Sequence, residues 1–187
     1  MRIWISIRIS IAVLVLALAP VLSAQRIKIG PQRLAPYVPS PPQVVEEMLR
    51  IAGVTENDMV YDLGSGDGRI VITAAQQFGA RAVGVEIDHK LVEQTQARLR
   101  ELNLSSRVEI VEQDAMEVDL SPASVVTLYL LTSSNEMLKP NLEKTLKPGS
   151  RVVSHDFRIS GWTPSRTEVI RGEARTHTIY LYEVGKQ

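Results

Sequence analysis

The chain has 187 residues, which suits a single folded domain, and its 44% hydrophobic and 22% charged residues are ordinary for a globular protein. Its 21 basic residues balance 21 acidic ones and no basic stripe stands out, which argues against a large nucleic-acid footprint. The absence of cysteine excludes disulfides, thiolate catalysis and cysteine–zinc sites, and the three histidines, His89, His155 and His177, are scattered without ligand spacing, so no metal is expected.

At the amino terminus Arg2 and Arg8 accompany an apolar run from Ile9 to Leu22, and the small residues Ser23 and Ala24 follow. A basic start, an apolar middle and small residues at a cleavage point predict a secretory signal peptide over residues 1–24; an uncleaved membrane anchor is the alternative. Residues 25–40, with Pro31, Pro36 and Pro39, read as a linker, and Arg26, Lys28 and Arg33 within it would keep the domain on the cytoplasmic side by the positive-inside bias. Residues 41–187 are expected to form the domain itself.

A first helix is predicted over Pro41–Ala52, with Ser40 as N-cap and Gln43 completing a capping box. Strands at Met59–Leu63, Ala80–Glu86, Arg107–Glu112, Val125–Leu131 and Arg151–Phe157 alternate with helices at Gly68–Phe78, Asp88–Asn103 and Ser133–Leu146. The last of these helices is expected to restart at Pro140. Two further β-prone runs, Thr167–Arg171 and Thr176–Val184, predict a terminal antiparallel hairpin. Ser160–Ser165 is too short for a helix after the fifth strand. The predicted fold is therefore α/β: a Rossmann-like, mostly parallel seven-stranded sheet with helices on both faces and a C-terminal antiparallel hairpin.

The most informative stretch is Val60-Tyr-Asp-Leu-Gly-Ser-Gly-Asp-Gly-Arg-Ile70. A strand ends in an acid, passes through three glycines at alternate positions and opens directly into a helix. Such a loop lets a ligand approach the backbone, and the helix start directs unpaired N–H groups and its positive end at that ligand. The third glycine comes one position too early for the dinucleotide fingerprint, which disfavours an NAD oxidoreductase. Two more strands end in acids, Arg81-Ala-Val-Gly-Val-Glu86 and Val108-Glu-Ile-Val-Glu-Gln-Asp114-Ala115. An acid about twenty residues beyond the loop suits ribose hydroxyls.

Asp62, the loop glycines, Glu86 and Asp114, in this order, resemble the cofactor motifs of the class I, seven-β-strand S-adenosylmethionine-dependent methyltransferases over about Tyr37 to Phe157. The resemblance implies that Asp62, Gly64, Ser65, Gly66 and Gly68 hold the methionine end of S-adenosylmethionine. It places Glu86 and Ile87 at the ribose, and Asp114 and Ala115 at the adenine. A narrower resemblance is carried by Tyr37-Val-Pro-Ser-Pro-Pro-Gln43, Thr127-Leu-Tyr-Leu-Leu131 and Arg151-Val-Val-Ser-His-Asp-Phe157. These segments are similar to bacterial relatives of the mitochondrial protein-lysine methyltransferases, in which Tyr37 and Gln43 would close over the cofactor. Relatives commonly have proline where Thr132 stands, read here as a loop change.

On the acceptor side Tyr129 and His155 are the candidate catalytic residues. The implied partner is a protein with an accessible lysine, and residues 1–24 suggest membrane association. Two alternatives keep the same fold: methylation of RNA or a small molecule, and a catalytically silent exported binding module. The fourth strand lacks an Asn/Asp-Pro-Pro-Tyr signature, which counts against DNA adenine or glutamine as acceptor.

Overall fold

The computed structural model describes residues 34–186. The expectations for residues 1–24 and for most of the linker lie outside the described residues. Seven strands form one sheet: β1 (Met59–Leu63), β2 (Arg81–Glu86), β3 (Val108–Glu112), β4 (Val125–Leu128), β5 (Arg151–His155), β6 (Arg166–Arg171) and β7 (Thr176–Glu183). Their order is β3-β2-β1-β4-β5-β7-β6. The first five run parallel, while β7 is antiparallel to both β5 and β6. The order reverses between β1 and β4, which opens a crevice at their carboxyl ends.

The helices are α1 (Pro42–Ile51), α2 (Arg69–Phe78), α3 (His89–Glu101) and α4 (Thr132–Thr145). Apolar residues of α1, α2 and α3 join Val60, Val125 and Val153 in one core layer. Leu138 and Leu142 of α4 meet Val126, Leu128, Val152 and Trp162 in the second. All four residues of β4 are buried, the pattern of a strand covered on both faces. Among the described residues, no helix is long and apolar enough to cross a membrane.

Apart from β4, which ends at Leu128 and not at Leu131, the observed boundaries lie within two residues of the expected ones, and four further differences have physical causes. The capping box does not form: Pro41 occupies the N-cap position, the Ser40 hydroxyl bonds the His155 imidazole, and the Gln43 amide donates to the Arg171 carbonyl. The helix around Pro140 is continuous, because Leu138 and Leu142 on either side are fully buried and hold it against the core. β5 stops at His155, since Asp156 adopts a left-handed backbone with φ 62°. Thr132 is the first residue of α4, a position where proline is favoured, so its exchange for proline belongs to a helix start rather than a loop.

Candidate active site

The crevice between β1 and β4 deepens into a cleft walled by the glycine loop, the ends of β2 and β4, and residues 34–40. Its floor follows from local sequence. Gly64 and Ser65 donate through their backbone N–H groups to the Val85 carbonyl, at 2.8 and 3.0 Å, which folds the loop back over β2. Gly66 has a φ of 55°, and a Cβ there would lie 2.6 Å from Cε2 of the Tyr37 ring. Only glycine permits both the turn and that close approach.

Gly68 answers a different demand. It caps α2 with φ 73°, and a Cβ would lie 2.4 Å from the Thr95 methyl on α3. Gly68 is thus required for helix packing and is absent from the cleft wall.

The acids serve the loop as well as the cleft. Glu86 accepts from Gly66 N–H at 2.8 Å through one carboxylate oxygen, and from Ile87 and Asp88 N–H at 2.8 and 2.9 Å through the other. The strand-tip acid therefore fixes the loop while facing the cleft, and Ile87 lies beside it in the wall. Asp62 is buried and accepts a 2.7 Å hydrogen bond from the Thr127 hydroxyl. Burial pushes its carboxyl up to about 7; the Thr127 bond opposes this, while the charges of Glu86 and Asp67 add to it.

Residues 34–40 are held over the loop by Arg69. Its guanidinium donates to the Ser40 carbonyl at 2.6 Å and grips Asp67 at 2.6 and 2.8 Å. Burial works against the Asp67 carboxylate, yet the bonds and charge of Arg69 hold its pKa below the usual range. Ser134 ties the same segment to α4 by donating to the Leu34 carbonyl.

At the acceptor end Tyr129 lines the cleft. Its ring stacks on His155, with centroids 3.8 Å apart. His155 sits behind this wall rather than in it. The imidazole is fully buried, with Ser40 Oγ 2.9 Å from Nδ1 and His177 Nδ1 2.9 Å from Nε2. Burial pushes its pKa down to about 4; the charges of His177 and Arg175 act the same way and Asp156 opposes them. A neutral ring with both nitrogens engaged and no cleft surface cannot take a proton from an acceptor amine, so the expected catalytic role of His155 is corrected to support of Tyr129.

Most of the other expected residues converge: Tyr37, Asp62, Gly64, Ser65, Gly66, Glu86, Ile87 and Ala115 all line the cleft. Two do not. Gln43 reaches the Arg171 carbonyl instead. Asp114 turns one carboxylate oxygen onto Met116 N–H at 2.9 Å, and its neighbours Gln113 and Ala115 form the wall. Sequence reasoning passed over Thr127, Arg69, Ser40 and Gln113. Thr127 pairs with Asp62 in register across β1 and β4, a neighbour visible only once the strand order is known. Two of the histidines, distant in sequence, meet in the fold: His155, His177 and Asp156 place ligand-capable atoms within 4.8 Å of one another, and the guanidinium of Arg175 lies 2.6 Å from that carboxylate.

A family model for the ANTKMT methyltransferase domain matches residues 62–166. The protein-lysine N-methyltransferase of Saccharolobus islandicus (strain REY15A) is 51% identical over 152 residues, 81% of this chain and 94% of that protein. The chain belongs to the ANTKMT methyltransferase family. The adenine nucleotide translocase lysine N-methyltransferase of Mus musculus is 35% identical, and the match covers 82% of this chain and 66% of that longer protein. Among solved structures, an RNA methyltransferase from Salinibacter ruber in complex with S-adenosyl-L-homocysteine is 47% identical, with a TM-score of 0.75 over 80% of this chain and 95% of that one.

This ANTKMT-family protein is thus an S-adenosylmethionine-dependent methyltransferase, and its cleft fits that cofactor. The loop backbone at Gly64 and Gly66 leaves room that a Cβ would fill, while the Ser65 hydroxyl turns inward against Gly84 of β2. Asp62, Asp67 and Glu86 gather negative charge suited to a cationic ligand. When bound, S-adenosylmethionine supplies an electrophilic methyl group on a sulfonium. Asp62 and the Ser65 backbone would hold its amino-acid end, Glu86 its ribose, and Gln113 and Ala115 its base, with residues 34–40 placed to exclude water.

Proposed function

We propose that the methyl acceptor is a protein lysine amine. The observation that carries this reading is the 51% identity with a protein-lysine N-methyltransferase over 94% of its length, a match long enough to take in both cofactor cleft and acceptor wall. The chemistry of the wall supports it. A lysine ammonium must lose a proton before it can attack, and burial against apolar side chains disfavours the charged form. Leu34, Pro36, Val38 and Leu130 supply such a surface beside Tyr129, whose oxygen can accept from the incoming amine.

An RNA acceptor is the second reading, favoured by the name of the Salinibacter ruber relative. The balanced charge of 21 basic and 21 acidic residues favours protein. Incubating the enzyme with radiolabelled S-adenosylmethionine and a cognate lysate tests both. Label recovered as methyl-lysine after hydrolysis of the protein fraction is expected, and label confined to RNA would replace this reading with the second.

We further propose that residues 1–24 tether the enzyme to a membrane, with the domain on the cytoplasmic side where S-adenosylmethionine is made. Protease protection in intact spheroplasts, with loss of the domain only after lysis, is the expected result. A cleaved, periplasmic product would overturn it.

A further inference from the structure

The β6–β7 turn lies far along the chain from every cofactor motif, yet one of its side chains reaches the acceptor wall. Arg175 Nη2 donates to the Tyr129 hydroxyl at 2.9 Å and pairs with the Asp156 carboxylate at 2.6 Å. Asp156 is itself held in place. It adopts φ 62°, its N–H donates to the Thr178 carbonyl at 2.6 Å, and its Oδ1 accepts from Thr178 N–H at 2.9 Å. Aspartate is among the few side chains that tolerate the left-handed region, and the two Thr178 bonds hold this one there. The turn so held delivers a carboxylate to Arg175.

The phenol of Tyr129 is therefore fixed in two ways. Stacking on His155, which Ser40 and His177 anchor, sets the plane of the ring. The guanidinium sets the hydroxyl: arginine only donates, so it occupies one lone pair of the oxygen and leaves the other free. That free lone pair can accept an N–H of an acceptor amine and orient the nitrogen for in-line attack.

Resting on the lysine reading above, we propose that Arg175 is a positioning residue of the acceptor site, held by Asp156 and acting through the Tyr129 hydroxyl. The turn between β6 and β7 thus forms part of the acceptor side of the active site. Arg175 does not line the cofactor cleft, so its contribution falls on methyl transfer and not on cofactor affinity. Its side chain is 49% exposed, and its removal leaves the core intact.

The test is a double-mutant cycle on the full-length enzyme, with single-turnover transfer onto the acceptor that the wild type labels and calorimetric titration with S-adenosylhomocysteine. Arg175→Ala is expected to slow transfer by about tenfold or more, the loss of one charged hydrogen bond, with S-adenosylhomocysteine affinity unchanged within about twofold. In a Tyr129→Phe background the same substitution should add almost nothing, and Arg175→Lys should recover part of the rate. Asp156→Asn, which tolerates the left-handed backbone and keeps the Thr178 bond, should cost less than Arg175→Ala. An equal loss from Arg175→Ala with and without the Tyr129 hydroxyl would overturn the proposal, as would a parallel fall in S-adenosylhomocysteine affinity. Hydrolysis of the labelled acceptor separates the two ideas: label outside methyl-lysine ends the lysine reading, and the cycle is then read on that other acceptor.

Discussion

Asp62 shows how one side chain can report on cofactor binding. Its buried carboxyl titrates near pH 7, and a cationic ligand favours the ionised form. Affinity for S-adenosylmethionine should therefore rise between about pH 6 and 8, and Asp62→Asn should flatten that dependence. Stability should move in the opposite sense. The folded state holds the Asp62 proton more tightly than the unfolded chain, so its contribution is complete below pH 3.8 and is lost as pH rises through about 7. Asp62→Asn should accordingly raise the melting temperature of the ligand-free protein at about pH 8 more than at about pH 5. Asp62→Ala and Glu86→Ala should each weaken cofactor binding by about tenfold or more, measured by calorimetry; unchanged affinity in both would remove them from the site. Both acids were legible in the sequence because a strand tip followed by glycine, or spaced about twenty residues beyond it, is a local pattern. Thr127 was not, since its role comes from a partner 65 residues away.

At the scale of elements, periodicity located every strand and helix, and errors arose where one side chain had two uses. Ser40 could cap α1 or bond His155, and the buried imidazole wins because an unpartnered nitrogen inside the protein costs more than a frayed helix start in water. Pro140 could break α4 or be carried by it, and the burial of Leu138 and Leu142 carries it. Its cost is still present: the ring leaves the Glu136 carbonyl without its helical donor. Because Pro140 is exposed, Pro140→Ala should stabilise the protein by about 1–3 kcal/mol, read as a higher melting temperature with cofactor binding unchanged. No rise would mean that α4 has already adapted around the ring.

At the scale of the molecule, the described residues 34–186 fall in one compact unit. A chain beginning at residue 25 should fold cooperatively and bind S-adenosylhomocysteine with the affinity of the full chain. At a ligand concentration about 100 times Kd its unfolding free energy should rise by about 2.7 kcal/mol. Aggregation of that shortened chain, or loss of the ligand-induced shift, would show that the amino-terminal segment belongs to the fold.

The sequence by itself determined the seven-stranded α/β fold and the glycine loop with its acids, and their resemblance to a family supplied the cofactor. Each of these is written in contiguous residues whose spacing follows the geometry of a strand, a tight turn or a helix start. Tertiary structure alone decided the acceptor wall. Ser40, Tyr129, His155, Asp156, Arg175 and His177 come from separate stretches of chain, and the antiparallel return of β7 beside β5 brings Thr178 to Asp156 and His177 to His155. No local spacing encodes such a meeting, because it depends on which strands become neighbours. That choice is made by burial of the whole sheet rather than by the residues that meet.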